Sequence, residues 1–225
     1  MKRRIFSFLI ILLTCSSCIE IIDDIILNSD GSGKLKYTIN LSSSKVKINS
    51  ILALDTLKGR RVPKKDEINR KIDLFKKILQ NNIGMKNVEI NKDFNEYIFV
   101  LSCEFSDIYC LQESIYCAFD SIEGSNQSPL KEFSWIDFHE NNYTKSLPEL
   151  KYFNENRIDE KEEELLKNGS YTSISRFDRE IEHYSNDLGR ISKSKKAYMI
   201  KIEMDKLIEN EKLLESEIKL SDKNP

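Results

Sequence analysis

The chain has 225 residues, a formal charge of −2, 40% hydrophobic and 32% charged residues, five Cys and two His. That balance excludes collagen, a disulfide-dense miniprotein and a multi-span membrane protein, while leaving enough aliphatic and aromatic side chains for a core. The absence of a basic excess speaks against nucleic acid as a partner, and two histidines leave little for a His-based catalytic or metal site.

The N-terminus reads as an address. Met1-Lys2-Arg3-Arg4 is a basic start, Ile5 to Leu13 a short apolar run, and Thr14-Cys15-Ser16-Ser17-Cys18 a small-residue end. These are the three parts of a secretory signal. The apolar run is far shorter than the roughly 20 residues that a membrane span needs. Ser16 and Ser17 precede Cys18 as in a bacterial lipobox, so Cys18 is the expected lipidation site. Cys15 is the alternative, with the bulkier Leu13 and Thr14 before it. Residues 1–17 are then a lipoprotein signal peptide, 18–220 the anchored body and 221–225 a loose tail. Removing 17 residues leaves 208, and losing Lys2, Arg3 and Arg4 takes the charge from −2 to −5. A body that is acidic overall gains nothing from anionic head groups, so the lipid is expected to hold it on the membrane.

Ile19 to Asn28 is Ile-rich and reads as a strand. Asp30-Gly31-Ser32-Gly33 is a turn, and Lys34 to Leu41 alternates, with Leu35, Tyr37, Ile39 and Leu41 on one face. Together they predict a β-hairpin beginning right after Cys18. Lys45 to Leu57 looks helical, with Gly59 as its stop. Arg60 to Pro63 reads as a connector. Lys65 to Gln80 is an amphipathic helix with Ile68, Ile72, Phe75 and Leu79 on one side. Strands are predicted at 87–90 and 96–105, then a helix capped by Ser106 and running to about Ile122. That helix has Ile108, Leu111, Ile115 and Phe119 on its main apolar face and Cys110 and Cys117 on the other side. Residues 123–129 are a polar loop and a possible domain seam lies near 123–130. Strands are expected at 131–139, 143–146, 171–177, 181–184, 197–204 and 217–220. An acidic helix or loop is expected at 158–168 and a helix at 205–214. Mixed elements without strict βαβ alternation predict an α+β fold, a largely antiparallel sheet packed against several helices in a single main domain.

Cys103, Cys110 and Cys117 stand outside the signal. Cys110 and Cys117 fall two helical turns apart, about 10.5 Å, beyond disulfide reach. All three are expected to be free, with a Cys103 disulfide the remaining option. No phosphate loop, GxSxG elbow or zinc spacing is present. Asp23-Asp24 and Glu162 to Glu164 read as solvated acids. His139 and His183 are isolated and read as surface or sheet-edge residues. Phe133, Trp135 and Phe138 read as a core strand, with a ligand platform as the other option. These readings supply no catalytic residue, no metal site, no cofactor and no identified ligand-binding residue.

The layout resembles hypothetical lipoproteins of Bacteroidetes-type bacteria and, more distantly, LppM-like envelope lipoproteins. The resemblance rests on Cys18, Ile25-Ile26-Leu27-Asn28, the Asp30-Gly31-Ser32-Gly33 turn into Lys36-Tyr37-Thr38-Ile39, and the later segments 171–177, 181–186 and 197–204. Asp178 departs from the Pro that relatives often carry there, and 123–168 reads as an insertion. The resemblance implies a membrane-anchored, non-enzymatic α+β domain. The expectation is an outer-membrane lipoprotein, lipid-anchored and facing the periplasm or the cell surface. It would act as a binding or assembly module for other envelope proteins or lipid, with no nucleic acid partner. A lipid or apolar-ligand carrier is the alternative, followed by a carboxylate-dependent envelope hydrolase.

Overall fold

The computed structural model describes residues 19–123, 134–147 and 168–222. The predicted hairpin is its first feature. β1 (Glu20–Leu27) and β2 (Gly33–Asn40) pair antiparallel from Glu20↔Asn40 to Leu27↔Gly33. Asp30 ties the turn by accepting from the Ser32 N–H at 3.0 Å and its hydroxyl at 2.6 Å. Gly33 is required by close approach, since a Cβ there would lie 2.1 Å from the Ile26 carbonyl oxygen. Asp178 has its own purpose in this corner. Its carboxylate accepts from the Ser29 N–H at 2.9 Å and the Ser29 hydroxyl at 2.6 Å, pinning the turn to a distant segment.

α1 (Lys45–Leu52) is shorter than the predicted helix. The remainder forms a small ribbon, β3 (Thr56–Leu57) against β4 (Arg60–Arg61). Lys58 and Gly59 both take positive φ, +50° and +79°, which turns the chain back where the sequence suggested a helix stop. α2 (Lys65–Asn81) forms as expected, with Asp66 and Glu67 in its first turn favouring the helix dipole. β5 (Met85–Asp93) is longer than predicted because a bulge between Lys86 and Glu89 lets it keep pairing with β6 (Ile98–Phe105). α3 (Ile108–Glu123) follows. Asp107, not Ser106, caps it, accepting from the Cys110 N–H at 2.7 Å.

β7 (Ile136–His139), β8 (Asn142–Lys145), β9 (Ser170–Phe177), β10 (Ile181–Tyr184), β11 (Arg190–Ile191) and β12 (Ala197–Glu203) come next. α4 (Met204–Glu209), a 3-10 turn at Glu211–Leu214 and β13 (Ser216–Leu220) complete the described chain. The strands form two main sheets rather than one. Seven strands run β11-β12-β9-β1-β2-β6-β5, and four run β10-β13-β8-β7. Among the described residues every pairing is antiparallel except β1 with β9, which are parallel at the centre of the larger sheet. The fold class is α+β, as the alternation implied.

One face of the large sheet is covered by two different layers. α2 and α3 lie over β5 and β6. The four-stranded sheet packs over β9, with the Tyr143 ring edge-on to Phe177 at 5.1 Å. α3 stands where the layers meet. Its buried Gln112 accepts from the Trp135 and Ile136 N–H groups at 2.8 and 3.1 Å and donates to the Ile136 carbonyl at 3.1 Å. A side chain in mid-helix thus docks the entry of the second sheet, a contact that the helix periodicity did not suggest. The seam near 123–130 and the acidic stretch at 158–168 lie mostly outside the described residues, as does Phe133.

Candidate functional site

The large sheet is not fully sealed beneath the helices. A cavity of about 420 Å³ lies between Ile39 and Leu101 of the sheet, Ile72 and Phe75 of α2, and Phe119 and Ile122 of α3. It falls within the roughly 300–1,000 Å³ range of small-ligand sites. Among the described residues its lining is almost wholly apolar: Tyr37 and Lys71 are the only ones with polar side chains, and no carboxylate or histidine is among them. The reason lies in the helices. The α2 face predicted from Ile68, Ile72, Phe75 and Leu79 buries only Leu79 fully. Phe119 meets Phe75 edge-on at 5.2 Å instead of inserting into the sheet, so the two rings bridge the helices and leave space below.

Next to this cavity sits a buried charge cluster. Asp23 is on the same strand parity as Ile21 and Ile25, so it faces inward and is 1% exposed. Asp24 faces outward and forms a two-pronged bond with Arg176, at 2.8 and 3.0 Å. The Asp23-Asp24 pair read as solvated acids is therefore split across the sheet, and only Asp24 is on the outer face. The Asp23 carboxylate pairs with Lys145 of β8, itself 3% exposed, and accepts from the Tyr171 hydroxyl at 3.0 Å. Its other oxygen, Oδ1, is buried with no hydrogen-bond partner among the described residues. Tyr37, in the cavity lining, is the cross-strand partner of Asp23. Tyr143 reaches the Ser175 hydroxyl at 2.8 Å.

The electrostatics follow from burial. Burial alone would pull the Lys145 ammonium down, but the Asp23 charge beside it more than offsets this and its pKa is raised. Burial, reinforced by the Asp23 charge, also raises Tyr171 and Tyr37, and burial raises Tyr143. All four groups prefer the protonated form in the fold. Their stabilising effect is therefore complete below the unfolded-state values near pH 10 and is lost as pH climbs toward the folded ones. The unfolding free energy from urea titrations should fall from about pH 10 upward, by up to ~1.4 kcal/mol per pH unit for each group in play, and the midpoint with it. Tyr171→Phe should flatten that slope. An unchanged midpoint through pH 11 would contradict this reading.

The other sequence-predicted positions are dispersed. Cys18 and Cys15 lie outside the described residues, as do Glu162 to Glu164. His139 and His183 are exposed on opposite edge strands of the small sheet. Trp135 and Phe138 are half-buried against the core. Cys103, Cys110 and Cys117 are free thiols; burial pushes the Cys103 thiol up to about 11. Cys110 donates to the Ile83 carbonyl at 3.0 Å. Among the described residues no group of three or more His, Cys, Asp or Glu is placed to hold a metal, and no helix is long and apolar enough to cross a membrane.

No family model matches the chain, and no curated protein matches it significantly. Among solved structures, the NMR structure of the folded domain of LppM from Mycobacterium tuberculosis is similar to it. The match spans 91% of this chain and 89% of that one, at 12% identity and a TM-score of 0.38. A likeness at that level brings no residue role with it.

Proposed function

We propose that the chain is a bacterial envelope lipoprotein, anchored through Cys18, whose body is a non-enzymatic binding module for an apolar ligand such as an acyl chain. The cavity under α2 and α3 carries this reading. It has the size of a ligand site, and its described lining is almost wholly apolar. Water gains few hydrogen bonds there, whereas an acyl chain would bury about 0.8 kcal/mol per methylene. Among the described residues the lining holds no carboxylate, whereas a hydrolase would use a pair. The anchor reading rests on the signal segment and its terminal cysteine.

Two measurements test the two halves. Labelled palmitate should enter the protein in cells and be lost in Cys18→Ala; incorporation that survives Cys18→Ala with Cys15→Ala would overturn the anchor. For the cavity, cis-parinaric acid should bind the purified protein and brighten. Ile72→Trp together with Ile90→Phe should fill the space, reducing that binding at least about ten-fold while costing no more than ~1–3 kcal/mol of stability. Undiminished binding in a folded double variant would place the ligand elsewhere.

A further inference from the structure

The net charge conceals a strong segregation. Residues 45–71 hold nine cations, Lys45, Lys47, Lys58, Arg60, Arg61, Lys64, Lys65, Arg70 and Lys71, against three acids, Asp55, Asp66 and Glu67. The stretch is +6 in a chain that is −2 overall. Seven of these cations are exposed, and Lys45 and Lys47 are half-buried. Internal pairing absorbs part of the charge: Arg61 meets Glu67 and Lys64 meets Asp55, both at 2.9 Å, while Glu96 meets Lys45 at 2.7 Å. Within the stretch itself, three acids stand against nine cations.

The fold gives this charge a definite place. Glu20, which opens β1, is in register through Asn40 and Ile98 with Asp93 across the sheet. α1 leaves β2 from this same row, and Asn49 of α1 accepts from the Tyr97 hydroxyl. The first residue of α2, Lys65, lies 5.1 Å over the Tyr97 ring. The basic stretch therefore gathers at the end of the sheet where the chain comes in from Cys18, two residues before Glu20. Val46, 81% exposed, and Leu54, 43% exposed, project apolar side chains from the same stretch. Ile68 on the first turn of α2 and Leu41 just past β2 belong to the cavity lining, so the cavity reaches this end too.

We infer that the 45–71 face docks on anionic lipid head groups of the membrane that carries the anchor. The inference rests on the anchor reading for its orientation, and on charge complementarity for its occupant. Each Lys or Arg near an anionic surface adds attraction that salt screens, and an exposed Val and Leu suit insertion at the head-group boundary. Overall charge is a poor guide because only the face within a Debye length of the surface counts. Docking would turn the cavity toward the bilayer, the source of apolar ligands.

The test uses the mature lipidated protein in vesicles of phosphatidylcholine alone and in vesicles with about a third phosphatidylglycerol. Flotation with the neutral vesicles reads the anchor by itself. Amide hydrogen exchange reads the face. Exchange across 45–61 should slow on the order of ten-fold in anionic vesicles relative to neutral ones, and the difference should vanish in about 1 M salt. Lys47→Glu, Lys58→Glu and Arg60→Glu together should abolish it. Lys193→Glu, Lys201→Glu and Lys219→Glu, exposed positions elsewhere with the same total charge change, should keep it. Equal exchange in both vesicle types, or equal loss in both triple variants, would overturn the proposal even if flotation succeeds. Protection that is independent of lipid and disappears when Glu160, Glu162, Glu163 and Glu164 are changed to Gln would also overturn it, by showing that the acidic stretch covers this face.

Discussion

Asp23→Ala should destabilise the protein by about 3–5 kcal/mol, measured as the loss in unfolding free energy by urea denaturation. The change strands Lys145 as a cation that is 3% exposed, and it removes the acceptor of the Tyr171 hydroxyl at 3.0 Å. Replacing both charges should behave differently. The pair is incompletely satisfied, since Asp23 Oδ1 has no hydrogen-bond partner among the described residues. Desolvation is then poorly offset, and Asp23→Leu with Lys145→Met should be neutral or stabilising by roughly 1–4 kcal/mol. The double variant separates a structural pair from a functional one. If it is stable and still binds cis-parinaric acid, the ion pair serves the packing of the two sheets. If it is stable and binding falls, the charge beside Tyr37 contributes to the site. A single Asp23→Ala variant as stable as wild type would show that Lys145 finds water or another partner, and would remove the cluster from the argument.

What could be read in advance follows the range of the interactions involved. The first hairpin was legible because its signals are local: alternation on either side of Asp30-Gly31-Ser32-Gly33 sets strand, turn and register within the 21 residues from Glu20 to Asn40. α2 was legible as an apolar face, yet periodicity says only that a face is apolar, not how much covers it. The cavity arises from that gap, as Phe119 packs on Phe75 instead of beneath it. The Asp23–Lys145 pair was illegible because its partners are 122 residues apart and an Asp-Asp dipeptide looks solvated. A faint signal existed in the parity of Asp23 with Ile21, Ile25 and Leu27, a charge on the apolar side of a strand. The parallel pairing of β1 with β9 left no local trace, because strands so far apart in sequence are joined by neither a turn nor a motif. The basic stretch was visible residue by residue but was averaged away in the total charge. It gained meaning only when the fold placed it at the entry of β1.

Tyr143→Ala should be comparably severe, about 3–5 kcal/mol, because it removes a fully buried ring that joins the two sheets. The ring meets Phe177 at 5.1 Å and the hydroxyl meets Ser175 at 2.8 Å, both on β9 of the large sheet. Tyr143→Phe keeps the ring and should cost only about 1 kcal/mol, which isolates the hydroxyl. The damage from Tyr143→Ala should be local before it is global. The four-stranded sheet meets the large one through Tyr143 and Lys145, side chains two residues apart on one face of β8, and through Tyr184 of β10 against Tyr198 of β12 at 5.6 Å. Losing the first should expose β8 and β13 to hydrogen exchange at a lower free energy than β1, β2 and β6. Because Tyr143 and Lys145 share this interface, Tyr143→Ala and Asp23→Ala should not add; their coupling should reach about 0.5–3 kcal/mol. Strict additivity, with uniform exchange across both sheets, would mean that the sheets unfold as one unit held by the rest of the core. In that case Gln112, which docks β7 from α3, becomes the stronger link.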